Sequence, residues 1–188
     1  MENGAYKNKI ITVPNILSCF RICLIPFIAW LYCIKQNYRW TTAILTLSGI
    51  TDIVDGFIAR KCGMVSDFGK ALDPVADKLT QIVMLFCLVT RFHAMLIPLI
   101  LLTVKEIFSG ILGMVTIKKT GNVMGAVWHG KLSTVLLYVM MVLHLVWYNI
   151  PHVISNLSVA ICTCMILISA ILYTVRNFEA MNKCEEQQ

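Results

Sequence analysis

Five carboxylates crowd the stretch from residue 52 to residue 77, half of the ten acidic residues in a chain of 188. They stand in and around "DIVDGFIAR" and "FGKALDPVADKL", among Leu, Ile, Val and Phe. On a helix, Asp52, Asp55, Gly56, Ala59 and Arg60 fall at i, i+3, i+4, i+7 and i+8, which is one face. Gly69, Asp73, Ala76 and Asp77 repeat the pattern at i, i+4, i+7 and i+8. Two acidic stripes facing each other repel, and Arg60 and Lys78 supply only two positive charges nearby. A divalent cation is the natural remainder, and all-oxygen ligands select a hard one, Mg²⁺ first and Mn²⁺ next. Mg²⁺ takes a few carboxylates and then substrate phosphates, which points to a phosphate-bearing substrate. Gly56 and Gly69 leave backbone open to a bulky ligand, and Arg60 is placed to pair with a phosphate.

The elements that must carry these residues are membrane helices. Only 14% of the chain is charged and 58% is hydrophobic, against about 25% charged in an ordinary soluble domain. Six apolar runs, near 17–35, 40–60, 71–91, 94–116, 126–148 and 152–175, approach the roughly 20 residues that a span needs. The expectation is an all-α integral membrane protein of six transmembrane helices, one domain over residues 1–188. The loop 61–69 is short, so the two acidic helices become antiparallel neighbours with their stripes facing. Pro74 suits a first helical turn. That makes Asp73 a candidate N-cap, with the helix starting at Pro74 and Gly69 in the loop. Capping accounts for Asp73 alone and leaves Asp52, Asp55 and Asp77 unexplained.

Orientation follows from Lys and Arg. With the N-terminus inside, the inner segments and span ends hold Arg60, Lys61, Lys118, Lys119, Lys131 and Arg176 among others, and the outer loops hold Lys35, Arg39 and Arg91. The positive-inside rule then puts the acidic stretch on the cytoplasmic side of a plasma membrane. The first residues do not read as a cleavable signal, so the first helix is expected to be a permanent span. The eight cysteines form no Cys-x2-Cys pair and read as small hydrophobes. The four histidines are dispersed and suggest no metal set, and no basic arm suggests nucleic acid. Membrane carboxylates also suit a proton or cation pathway, so an ion-coupled carrier is the alternative from another class. A helical Asp-x2-Asp pair is also found in membrane prenyl transferases, which share the metal chemistry but not the spacing that follows.

Written out, the stretch is Asp52-x2-Asp55-Gly56-x2-Ala59-Arg60-x8-Gly69-x3-Asp73-x3-Asp77. It resembles the signature of the CDP-alcohol phosphatidyltransferase family at every fixed position. "VPNILSCFRICLIPF", "DGFIARK" and "FGKALDPVADKL" resemble the phosphatidylglycerophosphate synthase branch, and "KEIFSGI" and "WHGKLSTVLLY" do so more loosely. The resemblance implies a six-helix membrane enzyme, usually a homodimer, with its active site open to the cytoplasm. It implies that Asp52, Asp55, Asp73 and Asp77 hold the metal and that Asp77 is also the general base. Gly56 and Arg60 would contact the CDP group, with Asn15, Ser18, Ser66 and Gly69 about the donor. The implied reaction moves a phosphatidyl group from CDP-diacylglycerol to an alcohol, and CMP leaves.

The signature fixes the donor class and leaves the acceptor open among glycerol 3-phosphate, inositol phosphate, serine and phosphatidylglycerol. The branch often has Arg-Glu where this chain has Lys105-Glu106. A phosphorylated acceptor needs cations beyond the metal. Lys105, well inside the fourth span, is the first candidate, Lys131 the second and Arg21 the third. Each has a plain alternative: a pair with Glu106 for Lys105, and an interfacial anchor for Lys131. This basic set favours glycerol 3-phosphate, because an uncharged alcohol would not require it.

Overall fold

Each hydrophobic run becomes a helix in the computed structural model, which describes residues 13–61, 67–120, 128–147 and 149–185. Among these residues the α-helices are α1 (Val13–Cys33), α2 (Tyr38–Lys61), α3 (Asp67–Val89), α4 (Leu96–Thr120), α5 (Trp128–Val146) and α6 (His152–Glu185). A 3₁₀ turn at His93–Met95 leads into α4, and no strand occurs among the described residues. Four stretches are long and apolar enough to cross a membrane: Asn15–Cys33, His93–Thr120, Trp128–Val146 and His152–Asn182. These apolar helices point to a multi-pass membrane protein. The 24 residues of α2 and 23 of α3 are no shorter than a span needs. Their charges set them apart: Arg39, Asp52, Asp55, Arg60 and Lys61 on α2, and Asp67, Lys70, Asp73, Asp77 and Lys78 on α3.

Two boundaries differ from the sequence expectation. Helix α3 opens at Asp67, so Gly69 lies inside the helix and Asp73 is no N-cap. Pro74 is an interior proline there. It withholds one N–H, a defect that membrane helices tolerate when neighbouring groups satisfy the backbone. Helix α6 runs to Glu185, past the end of its apolar run near 175. A helix need not stop where its sequence becomes polar, because its hydrogen bonds run within the backbone.

The chain divides into two compact units, residues 1–87 with 142–148, and residues 88–141 with 149–188. In the first, α1 packs along α2. The link between them is tight. The N–H groups of Ile34 and Lys35 reach the Trp30 carbonyl at 3.0 and 3.1 Å, and that of Asn37 reaches the Leu31 carbonyl at 3.0 Å. Gln36 takes a left-handed φ of 48° to reverse the chain. Asn37 then caps α2, its Oδ1 accepting from the Trp40 N–H at 3.3 Å. The thiols of Cys33 on α1 and Cys87 on α3 lie 3.7 Å apart.

The buried stripe of α1 is polar at one end, with Asn15, Ser18 and Arg21, and apolar at the other, with Ile28, Leu31 and Tyr32. Helix α3 is graded in the same way. Thr80 and Gln81 are buried near Asp77, and Met84 and Leu85 a turn further on. Large apolar side chains such as Ile16, Phe20, Phe27 and Trp30 of α1 face outward. Polar inside and apolar outside is the arrangement that lipid favours.

In the second unit α4 packs along α6. Ile100, Val104, Ile107 and Ile111 of α4 form an exposed apolar stripe at helical spacing. The approach to α6 is close at Gly113, where a Cβ would stand 3.0 Å from the Tyr173 hydroxyl. That hydroxyl donates to the Ser109 carbonyl at 3.4 Å.

Candidate active site

Helices α1 and α3 bring together residues more than fifty positions apart. Ser18 and Arg21 lie on one face of α1, and both reach Asp73 of α3. The Ser18 hydroxyl donates to Asp73 Oδ1 at 3.3 Å. Arg21 Nη1 donates to the same oxygen at 3.2 Å. Arg21 is fully buried at 0% exposure, and the Asp73 side chain is 39% exposed. A guanidinium inside a membrane bundle needs an anionic partner, and Asp73 supplies it. Asp73 therefore has one oxygen held from α1, and its Oδ2 accepts no hydrogen bond among the described residues.

One turn along α3, Asp77 is more enclosed, at 14% exposure. Gln81 Nε2 donates to Asp77 Oδ2 at 2.8 Å, and Lys78 Nζ lies 3.8 Å from that oxygen. The four-residue step separates the two carboxylates by about 6 Å along the helix and keeps them on one face. Asn15, a turn before Ser18 on α1, is buried.

Helix α2 carries the positions Asp52, Asp55, Gly56 and Arg60 at helical spacing. These four and Gly69 are described through their helices alone, and Ser66 lies outside the described residues. Among the described residues no group of three or more His, Cys, Asp or Glu side chains gathers as a metal site.

The second unit carries the basic candidates. Lys105 Nζ donates to Glu106 Oε1 at 2.7 Å, with 12% and 24% of the two side chains exposed. The plain alternative foreseen for Lys105 is thus realised, and it leaves the ammonium half-buried on α4. His129, near the start of α5, is buried and meets Ser169 of α6 across a 3.4 Å Nδ1–Oγ contact. Lys131, two residues on, is exposed. The structure therefore pairs Lys105 with Glu106 and His129 with Ser169, and leaves Lys131 at the surface of its helix.

Sequence reasoning missed the His129–Ser169 contact, and Arg21 as the counter-ion of Asp73. The available signal was positional. An arginine inside an apolar helix requires a partner, and no local pattern names the partner.

The sequence profile of the CDP-alcohol phosphatidyltransferase family matches residues 11–175. The chain belongs to that family. Among individual proteins it is 39% identical over 99 residues to a CDP-diacylglycerol–glycerol-3-phosphate 3-phosphatidyltransferase of Haemophilus influenzae, a match covering 50% of this chain and 54% of that one. A protein of the same name from Aquifex aeolicus is 29% identical over 177 residues, 91% of this chain and 98% of its own. A cardiolipin synthase (CMP-forming) of Streptomyces coelicolor is 36% identical over 83 residues, 42% of this chain and 39% of its own. The matched stretch spans about half or less of the Haemophilus and Streptomyces proteins, and nearly all of the Aquifex one.

Members of such a family are expected to work with a divalent metal, and the donors present fit one. Asp73 and Asp77 offer oxygen only, on one helix face, and Asp73 keeps Oδ2 for a further partner while Oδ1 is held by Arg21 and Ser18. Hard oxygen donors of this kind match Mg²⁺ or Mn²⁺.

Proposed function

We propose that this chain transfers a phosphatidyl group from CDP-diacylglycerol to glycerol 3-phosphate, giving phosphatidylglycerophosphate and CMP. The observation that carries the reading is the eight-residue signature of α2 and α3, completed by the Ser18–Arg21–Asp73 contacts. Asp52, Asp55, Asp73 and Asp77 would hold Mg²⁺ or Mn²⁺. When bound, the metal supplies Lewis-acid stabilisation of the diphosphate charge.

The chain's own residues do the rest. Gly56 and Gly69 leave the ligand face open, and Arg60 pairs with a donor phosphate. Asn15, Ser18 and Ser66 border the nucleotide. The acceptor hydroxyl attacks the phosphorus nearer the lipid, a new P–O bond forms, and the phosphoanhydride bond breaks. The bond's electron pair leaves with CMP, and the hydroxyl proton passes to Asp77. A carboxylate is a weak base, so Asp77 acts chiefly through its position, which the Gln81 hydrogen bond fixes.

Glycerol 3-phosphate is favoured by Lys105, whose ammonium suits a dianionic phosphate and would not be required by serine. The near-complete overlap with the Aquifex relative supports the same acceptor. Phosphatidylglycerol is the second reading, prompted by the Streptomyces relative, whose match covers the signature half only. The enzyme works as a homodimer of six-span protomers in the plasma membrane, residues 1–188 forming one catalytic domain that faces the cytoplasm. The positive-inside bias supports that orientation.

The test is purified protein with CDP-diacylglycerol and a panel of acceptors. CMP release that depends on glycerol 3-phosphate is the expected result. Release with phosphatidylglycerol alone transfers the chain to the second reading. No release with any acceptor leaves an ion-coupled carrier.

A further inference from the structure

Gln81 stands outside the eight-residue signature, in a run, "LTQIVMLFCLV", that is otherwise built for lipid and packing. It is fully buried, at 0% exposure. Its Nε2 donates to Asp77 Oδ2 at 2.8 Å, one helical turn back. The amide orientation follows from the chemistry, because an ionised carboxylate only accepts. Its other end is unsatisfied: Gln81 Oε1 is buried without a hydrogen-bond partner among the described residues. A buried amide with one orphaned oxygen weakens the fold relative to an apolar side chain of the same size. A residue placed there for packing alone would be Leu or Met, like its neighbours Leu79, Met84 and Leu85.

We infer that Gln81 is a positioning residue for Asp77: its amide N–H fixes the carboxylate so that one oxygen is set for the metal and the attacking hydroxyl. The inference rests on the reading of Asp77 as base and metal ligand. A carboxylate turns about its last torsion with little resistance unless hydrogen bonds hold it. Gln81 Nε2 is the short contact to Asp77 Oδ2, and Lys78 Nζ lies 3.8 Å from the same oxygen. The amide is neutral, so it orients the carboxylate without adding a positive charge that would repel a cation. Outer partners of this kind typically change metal affinity by about 10- to 100-fold. The pairing runs parallel to that on Asp73, where Ser18 and Arg21 hold one oxygen from α1.

The test uses the full-length protein in detergent, as wild type, Gln81→Leu, Gln81→Met and Asp77→Asn. Three quantities are read: Mn²⁺ affinity by electron paramagnetic resonance, kcat and KM at saturating Mg²⁺, and the thermal midpoint. Positioning predicts a midpoint unchanged or raised in Gln81→Leu, because the orphaned oxygen is gone. It predicts Mn²⁺ affinity lower by roughly 10- to 100-fold, with kcat reduced and both substrate KM values kept. Gln81→Met, closer in length, should reproduce the loss and so separate the missing N–H from any packing defect. Wild-type Mn²⁺ affinity and wild-type kcat in both variants would overturn the inference. So would a fall in midpoint in both variants that accounts for the lost activity. If the wild type binds no Mn²⁺, or Asp77→Asn keeps full activity, the reading of Asp77 itself falls and the inference with it.

Discussion

Arg21 and Asp73 face each other with unequal burial, and that asymmetry sets the cost of removing either one. Arg21 is 0% exposed and Asp73 is 39% exposed. Replacing Asp73 with Ala takes one partner, its carboxylate, from a guanidinium that water does not reach, a change that costs up to about 3–5 kcal/mol. Replacing Arg21 with Met leaves a carboxylate that is still hydrated, so the loss is nearer that of one charged hydrogen bond, about 1.5–3 kcal/mol. The double variant removes both charges, and its cost falls short of the sum by about 1–3 kcal/mol, the usual coupling of residues in contact. Denaturant titration of wild type, both single variants and the double variant in mixed micelles measures this cycle. Stability, unlike activity, is read without a substrate. Equal single-variant costs, or strict additivity, would refute the packing of α1 against α3 on which the Asp73 geometry depends.

Three further outcomes follow from the same structure. Oxidation by copper phenanthroline should link Cys33 to Cys87, whose thiols lie 3.7 Å apart, and peptide mapping without reductant should recover the pair; unlinked peptides would place α1 and α3 in another register. Lys105→Met should raise the KM for glycerol 3-phosphate roughly tenfold or more, the worth of a charged hydrogen bond, with donor KM unchanged, whereas exposed Lys131→Met should have little effect; the reverse order would move the acceptor site toward Lys131. Asp52→Asn or Asp55→Asn should abolish transfer while the protein still inserts, as should EDTA on the wild type; full turnover in excess EDTA would remove the metal from the reaction.

The six helices were legible as runs of apolar residues, and four of them are long and apolar enough to cross a membrane. The acidic stripe of α3 was legible because helical spacing is local, so Asp73 and Asp77 share a face whatever packs against them. Pro74 misled for a physical reason. In water an interior proline argues for a helix start, but α3 accommodates it and begins at Asp67. The end of α6 was missed because the apolar run fades near 175 while the helix continues to Glu185. The contacts that shape the site were beyond local reading. Arg21 meets Asp73 across 52 positions, and His129 meets Ser169 across 40. No periodicity within one helix encodes which neighbour it faces. Gln81 looked like one polar residue in an apolar run until its 2.8 Å bond to Asp77 gave it a place.

The most direct test of the account is the fate of CDP-diacylglycerol labelled in its cytidine, given to purified protein with Mg²⁺ and glycerol 3-phosphate. The account predicts stoichiometric CMP and phosphatidylglycerophosphate, both lost in Asp77→Asn and both absent when glycerol 3-phosphate is omitted. Intact CDP-diacylglycerol in the complete mixture, or CMP formed equally well without glycerol 3-phosphate, would contradict it.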